Sequence, residues 1–490
     1  MVPSFPVPSF GDLVAVARGA ELRGDPAVRI SDAVCDSRLA GPGSVFFCVP
    51  GGETDGHRFA PDAAAAGARG LVVERWLDLT APQIKVPSVR AAMGPMSALV
   101  FGHPSRAMRT VGITGTNGKT TITYLLEAVF GATGITPGVI GTTGARIAEK
   151  PQPLERTTPE APDLHRLLAE MRDAGVRGVA MEVSSHALEQ ERVGGVVFDV
   201  AVFTNLSRDH LDYHGTMKEY FDAKATLFTP AHAVLGVVNI DDPWGVELVE
   251  RSSIPVTTFA VDAPEADLRP ADVRVDATGI SFRVGDLAVR SPLRGAFNVS
   301  NCLGALAAAR ALGLDDRAVA AGMAELVGVP GRMEPIDAGQ DFLVVVDYAH
   351  TPDSILTVLR AARPLTPGQV ICVFGCGGDR DRAKRPLMGG AATSNADLTI
   401  VTSDNPRSED PLAIIGEIEP GAREGGGAFV VEPDRREAIR LALRSARAGD
   451  VVVIAGKGHE RYQETGGRRT PFDDREVVRE GLRAIAGEAR

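Results

Sequence analysis

The stretch with the clearest chemical meaning is VGITGTNGKTT, residues 111–121, where a strand-like apolar run meets glycines and then a helix-forming run opening with Lys119, Thr120 and Thr121. Such a junction suits phosphate. Backbone N–H groups from Gly115 to Lys119 can face phosphate oxygens, the Lys119 ammonium can reach the β- and γ-phosphates, and the Thr120 hydroxyl can ligate Mg²⁺. The spacing is unusual: the common loop GxxxxGKS/T needs glycine at position 113, which is Ile113, whereas Gly112, Gly115 and Gly118 recur every third residue. A glycine-rich turn ending by chance in Lys-Thr is the competing reading of this pattern alone.

Further groups that could do chemistry follow other apolar runs. MEVSSHALEQERV carries Glu182, Ser184, Ser185 and His186; NLSRDHLDYHG carries His210 beside Asp209 and Asp212. A carboxylate, an imidazole and a threonine hydroxyl make a Mg²⁺ site only if a nucleotide supplies further oxygens. The alternatives are a serine-capped helix start with a solvated Glu182, zinc, or structural histidines. Lys224, in EYFDAKATLF on an amphipathic helix, reads by itself as a surface lysine. Near the C-terminus DYAHTP, GGDRDRAKRP, SDNPR and GKGHE follow successive apolar runs, and Arg380, Arg407 and Glu460 offer both charges, which suits a zwitterionic ligand; a solvated loop network is the alternative.

The elements that must position these groups alternate in type. SVFFCVP and GLVVE flank an alanine-rich helical segment in residues 1–103, a small α/β unit. In residues 104–332 the strand-length runs TVGIT, GVAMEV, VAVFTNL and AVLGVVNI are separated by helical stretches such as DLHRLLAEMRDAG, and residues 333–490 repeat the scheme with FLVVVDYAH, VICVFGCGGD, LTIVTSDN, AFVVEP and VVVIAGKGH. This is the pattern of parallel sheets flanked by helices. PGR at 330–332 is the best candidate hinge. Open α/β sheets bind ligands at the carboxyl ends of their strands, so a site between two such edges is the economical arrangement.

Bulk properties narrow the class. A chain of 490 residues exceeds one ordinary core, at roughly 100–200 residues per domain. Composition is 44% hydrophobic and 23% charged, with no apolar run approaching the roughly 20 residues of a membrane span. The N-terminal MVPSFPVPSFGDL lacks a basic leader and is broken by prolines, so a cytoplasmic protein is expected. Five cysteines with no CxxC pair argue against disulfides or a zinc knuckle, and a net charge of −11 without a basic block argues against a nucleic-acid partner. Lysine is scarce: seven of the 52 cationic residues are lysine and the rest are arginine, so each lysine invites a question.

Taken in order, TGTNGKTT, TTPE, EVSSHAL, NLSRDHLDYHG, DYAHTP, GGDRDRAKRP, DNPR and GKGHE resemble the Mur ligase family, over about residues 30–463. Within the family the likeness is to members that add diaminopimelate to UDP-N-acetylmuramoyl-L-alanyl-D-glutamate in peptidoglycan synthesis. The family's loop resembles GxxGxxGKT, so the odd glycine spacing becomes a mark of subclass. The resemblance implies a three-domain α/β fold: a small N-terminal α/β domain that binds the UDP-substrate, a central phosphate-loop ATPase domain and a C-terminal Rossmann-like domain that binds the amino acid. It implies that Gly115, Thr116, Asn117, Gly118, Lys119, Thr120 and Thr121 hold ATP phosphates, with Asn301, Arg332 and Asp347 completing the nucleotide site. Ser37, Gly52, Glu53 and Thr54 match positions that hold the UDP end, and Thr157, Thr158, Ser184, Gln190 and Arg192 match those contacting the muramoyl dipeptide; Arg156 stands where some members carry asparagine. Arg380, Asp404, Asn405, Pro406, Arg407, Gly456 and Glu460 match the amino-acid site. The family's equivalent of Lys224 is carbamylated, which would join it to Thr120, Glu182 and His210 around Mg²⁺, with Lys119, Glu182, His210 and Lys224 as the catalytic set.

The implied reaction runs through an acyl phosphate formed from the D-glutamate γ-carboxylate and ATP, which the amine of diaminopimelate then attacks, in a protein expected to be monomeric. Folylpolyglutamate synthase shares this chemistry, but the N-terminal DSR and the DNPR motif disfavour it. A nucleotide-dependent switch without ligation has no use for DNPR together with GKGHE.

Overall fold

The computed structural model describes residues 6–52 and 54–488. Its first sheet comprises β1 (Glu21–Arg23), β2 (Asp32–Val34), β3 (Ser44–Phe47), β4 (Gly70–Val73) and β5 (Gln83–Lys85), in the order β1-β5-β4-β3-β2 and parallel except for β1 against β5. Every residue of β3 and β4 is buried, as expected of parallel strands covered on both faces. The helix Val89–Val100 leads out of this unit and packs against the next. At Gly94 an added Cβ would lie 2.4 Å from the Gly194 carbonyl oxygen, so two bare backbones meet. Arg90 pairs with Glu160 at 3.0 Å, and Arg166 reaches both Asp32 and the Ala33 carbonyl, which makes the joint polar as well as tight.

The second sheet contains β6 (Arg109–Thr114), β7 (Pro137–Gly141), β8 (Gly144–Ile147), β9 (Lys150–Gln152), β10 (Gly178–Glu182), β11 (Phe198–Phe203), β12 (Ala233–Asn239) and β13 (Val256–Phe259), ordered β13-β12-β11-β6-β10-β7-β8-β9. Strand β6 lies between β10 and β11, parallel to both, with Ile113 opposite Glu182 and Thr114 opposite Phe203. That register brings the segments after three strands to one edge of the sheet. The helix Lys119–Ala132 then buries Ile122, Leu125, Leu126, Val129 and Phe130, a spacing that makes one continuous apolar stripe against the sheet. A smaller antiparallel sheet follows, from β14 (Ala271–Asp276), β15 (Gly279–Val284) and β16 (Leu287–Ser291).

The third large sheet is ordered β17-β18-β22-β19-β20-β21, from β17 (Glu334–Pro335), β18 (Leu343–Asp347), β19 (Val370–Phe374), β20 (Leu398–Val401), β21 (Ala428–Val431) and β22 (Val451–Ala455); only β17 runs antiparallel to its neighbour. Asp347 ends opposite Ala455, and Phe374 opposite Val401, so four loops again leave from one edge. A hairpin of β23 (Tyr462–Thr465) and β24 (Arg468–Pro471) turns at Gly466 and Gly467, both at positive φ as a tight two-residue turn demands.

Among the described residues no helix is long and apolar enough to cross a membrane. Cys48, Cys302, Cys372 and Cys376 are buried and Cys35 half-buried; all are free, and burial raises each thiol to about 12, so none is poised as a nucleophile.

Candidate active site

The loop after β6 owes its shape to two glycines at positive φ, Gly115 at 140° and Gly118 at 90°. The second is the cap of the helix Lys119–Ala132, whose first N–H groups therefore open toward the loop. The Lys119 ammonium folds back onto the carbonyls of Gly115 and Thr116, at 2.9 Å each. The segment after β11 braces the loop: Asn117 N–H donates to Asn205 Oδ1, and the Thr204 hydroxyl donates to the Asn117 carbonyl at 2.6 Å. Burial lowers the proton affinity of Lys119, Glu182 pulls it back up, and Arg332 lowers it further.

Glu182 ends β10 and is buried, not solvated. Its Oε1 accepts from the Thr120 hydroxyl and the Thr142 N–H, both at 2.9 Å, and its Oε2 accepts from the Thr142 hydroxyl at 3.0 Å. Thus neutral donors alone hold this carboxylate through hydrogen bonds. His210, in left-handed backbone at φ 54°, lies edge-on to His186 with ring centroids 4.8 Å apart; partial burial lowers its proton affinity and Asp209 opposes that shift. Lys224 is fully buried, correcting the surface reading of its helix: the helix turns its lysine inward, beneath the phosphate loop. Its Nζ donates to the Gly115 carbonyl at 2.9 Å, the same oxygen that Lys119 uses. Burial and the Lys119 ammonium push Lys224 well below the usual lysine range. Among the described residues no group of three His, Cys, Asp or Glu side chains is arranged to hold a metal by itself.

A cleft of about 450 Å³ has Lys119, Thr120, Glu182, Ser184, His210, Asn301, Arg332 and Asp347 in its lining, with Phe259, Phe297 and Val358 as apolar members; Lys224 lies outside that lining. Arg332 crosses the junction: one guanidinium N–H donates to Thr120 Oγ1 at 3.1 Å while the guanidinium lies over the Tyr348 ring at 4.6 Å. Asp347 accepts from the N–H groups of Met333 and Ala349, which anchors the segment following Gly331 to the end of β18. The Asn301 amide oxygen lies where a Cβ on Gly118 would be, 2.4 Å away. A larger open groove of about 880 Å³ lies at the opposite edge of the sheet, where Arg106, Arg109 and Arg177 gather, far from the phosphate loop.

In the third sheet, Arg407 adopts φ 54° and donates from Nη1 to the Gly378 carbonyl at 2.6 Å. Gly377 separates it from Arg380, since a Cβ there would lie 2.9 Å from Arg407 Nη1 and 3.9 Å from Arg380 Cγ. Asp404, Asn405 and Pro406 are buried. Asp404 Oδ1 takes the Asn405 N–H, and its buried Oδ2 has no hydrogen-bond partner. Gly456, at φ 114°, leaves room for that oxygen, 2.6 Å from where a Cβ would stand. Asn405 Nδ2 donates to Glu460 Oε2 at 2.8 Å, and Lys457 Nζ reaches both Asn405 Oδ1 and Glu460 Oε2 at 3.0 Å.

The residues matched to the muramoyl dipeptide cluster beside Glu182. Thr158 donates to the Glu182 carbonyl at 2.9 Å, Thr157 meets Thr142 at 3.4 Å, Ser184 caps the short helix after β10, and Arg192 donates to the Thr158 carbonyl and to Gln190. Arg156 stays half-exposed, 3.6 Å from Glu160. Ser37 begins a helical turn capped by Asp36 in the first sheet's unit, Gly52 and Thr54 are exposed, and Glu53 lies outside the described residues.

Three features go beyond the sequence reading. Thr142, in an unremarkable GTTG turn, holds Glu182. Asp209, noted in sequence only as a neighbour of His210, faces both His210 at 3.4 Å and His350 of the third unit at 3.8 Å; burial alone would raise it, but the surrounding His210, His350 and Lys384 hold it below the usual carboxylate range. The hairpin β23–β24 ties down the DNPR loop through Arg407 N–H to the Glu464 carbonyl and Glu464 N–H to Asn405 Oδ1. Only the Gly466-Gly467 pair signals that hairpin in sequence.

Comparison with known proteins places this geometry. Patterns described as the Mur ligase family catalytic domain, the Mur ligase middle domain and the Mur ligase glutamate ligase domain match residues 29–99, 113–309 and 331–458. The chain is 47% identical over 467 residues to the "UDP-N-acetylmuramoyl-L-alanyl-D-glutamate--2,6-diaminopimelate ligase" of Streptomyces avermitilis, covering 92% of each chain. It is equally identical, over 473 residues, to the protein of that name from Gloeobacter violaceus, covering 95% of this chain and 96% of the relative. A solved structure of a ligase of that name superposes with a TM-score of 0.70 at 37% identity, covering 98% of this chain and 99% of the other. The chain belongs to the Mur ligase family.

Proposed function

We propose that this chain uses ATP to join 2,6-diaminopimelate to the γ-carboxylate of D-glutamate in UDP-N-acetylmuramoyl-L-alanyl-D-glutamate, a step of peptidoglycan synthesis. The observation that carries the reading is the meeting of two loop edges across Arg332: phosphate-binding groups on one side and, beyond the hinge, a guanidinium, Arg407, in the same loop network as a carboxylate, Glu460. Residues 1–103 would hold the UDP end, 104–332 the ATP, and 333–490 the amino acid. The reaction begins with two anions, a carboxylate and a triphosphate, so catalysis is mainly charge compensation and alignment. Lys119, Arg332 and the loop N–H groups supply the positive side. Asn301, Asp347 and the apolar lining residues Phe259 and Phe297 would orient the nucleotide. Contacts across the junction, such as His459 to the Thr142 carbonyl, would keep water from the acyl phosphate.

The donor set fits Mg²⁺, a hard ion that takes few protein ligands and completes its shell with phosphate oxygens. Glu182, His210 and the Thr120 hydroxyl would hold it, and it would neutralise phosphate charge. Lys224 fits carbamylation on physical grounds. Burial and the neighbouring Lys119 favour the unprotonated amine, the form that reacts with CO₂, and the resulting carbamate would place an anion where two lysine nitrogens now share the Gly115 carbonyl. We read the protein as a cytoplasmic monomer acting on small molecules.

The test is an amino-acid panel with UDP-N-acetylmuramoyl-L-alanyl-D-glutamate and ATP, following phosphate release. Diaminopimelate is expected to support turnover and lysine to fail, because lysine leaves Arg407 without a carboxylate, and unpaired polar groups reject analogues by up to about 10,000-fold. Comparable kcat/KM for lysine would overturn the assignment.

A further inference from the structure

We propose that Lys457 is a positioning residue of the amino-acid site, setting the orientation of Glu460 and Asn405 toward the incoming substrate; this rests on the reading of that site given above. Lys457 has no exposed surface, in a chain where lysine is scarce. A buried ammonium persists only when paired and hydrogen-bonded, and here both partners belong to the pocket. Its Nζ lies 3.0 Å from Asn405 Oδ1 and 3.0 Å from Glu460 Oε2, while Asn405 Nδ2 lies 2.8 Å from that same Oε2. The three side chains close a triangle.

The triangle decides two orientations. Asn405 Oδ1 accepts from Lys457 and from the Glu464 N–H at 3.0 Å, so its NH₂ must face Glu460. Glu460 spends Oε2 on both donors, leaving Oε1 as the oxygen for a substrate ammonium in a side chain 18% exposed. An arginine could not substitute: a planar fork with fixed N–H directions does not fit between two acceptors that a compact ammonium meets by rotation. The flanking glycines aim the lysine inward. Gly456 and Gly458 have φ of 114° and 52°, and a Cβ on them would meet Asp404 Oδ2 at 2.6 Å and Tyr348 Cβ at 2.8 Å. GKG is therefore a device for burying one charge beneath the pocket floor.

The experiment is a double-mutant cycle in the full-length enzyme with Lys457→Met, Glu460→Gln and their combination, recording KM for diaminopimelate, ATP and the UDP-linked substrate. Lys457→Met is expected to raise the diaminopimelate KM about 10-fold or more, with the other two within about twofold, and the double variant is expected to be no worse than Glu460→Gln, because coupled residues are not additive. An unchanged diaminopimelate KM, additive effects, or an equal rise in all three KM values would overturn the proposal. Should Lys457→Met fail to fold, Lys457→Arg decides: it keeps the charge and loses the geometry, so a wild-type KM there also overturns it. If Glu460→Gln itself leaves the diaminopimelate KM unchanged, the failure lies in the reading of the site and not in Lys457.

Discussion

The phosphate loop and the proposed amino-acid pocket each centre on a lysine next to glycine in left-handed backbone, yet they are built by opposite means. Lys119 bonds two carbonyls three and four residues before it, and most donors of its loop are consecutive backbone N–H groups. Lys457 bonds Asn405, 52 residues away, and the loop carrying Asn405 is shaped by a hairpin that comes later still. A contiguous site can be recognised from a dozen residues. A distributed one exists only once the sheet has aligned its strand ends.

That contrast can be broken at several points. Lys119→Ala should have the largest effect, lowering kcat about 100- to 1,000-fold for any amino acid while leaving diaminopimelate affinity intact, since it removes charge stabilisation in one domain only; parallel loss of diaminopimelate binding, measured calorimetrically, would erase the division between the sites. Arg407→Ala should lower kcat/KM for diaminopimelate by about 10- to 150-fold, the worth of a hydrogen bond to a charged group, with ATP affinity unchanged.

Smaller effects come from the glycines. Gly118→Ala and Gly456→Ala should each cost about 1–3 kcal/mol locally, because both place a side chain in left-handed backbone against a neighbour. The first should raise the KM for ATP and the second that for diaminopimelate, and a crossed result would show that the pockets are not independent. The smallest effect lies outside both. His165 is fully buried, hydrogen-bonded to the Gly194 carbonyl, and lowered by burial from 6.5 to about 4. Its folded value lies below its unfolded one, so its contribution is complete above pH 6.5 and is lost as pH falls toward 4. Replacing it with Gln should reduce the stability lost between pH 7 and 5 by on the order of 1–2 kcal/mol, read from urea midpoints.

Much of the architecture was legible because strand-length apolar runs end in polar loops: TVGIT, GVAMEV and VVVIA lie in β6, β10 and β22, and the helical stretch beginning at Thr120 forms with its apolar stripe inward. The short β1 and β5 and the hairpin β23–β24 were not, since strands of three or four residues without apolar alternation leave no periodic signal. At the site, Lys119 and Glu182 stood out because chemistry and chain position coincide. Lys224 did not betray its burial, because its helix has a polar cast and the loop that covers it is more than a hundred residues earlier. Thr142 acts on a residue forty positions away and no local pattern marks it, while Asp209 and Lys457 lie in motifs legible in sequence but gain their contacts to His350 and Asn405 only in the fold.

The close approach of Gly94 and Gly194 has a consequence for what the enzyme can accept. Backbone meets backbone there, and the ion pairs Arg90–Glu160 and Arg166–Asp32 join the same two units, which opposes tilting of the first against the second. If the first unit holds the UDP end as proposed, the joint would act as a ruler: a precursor one residue shorter or longer than the muramoyl dipeptide would present its terminal carboxylate out of register with the phosphate loop. On that assignment chain length would be gauged by the first two units, and the identity of the added amino acid by the unit that follows Gly331.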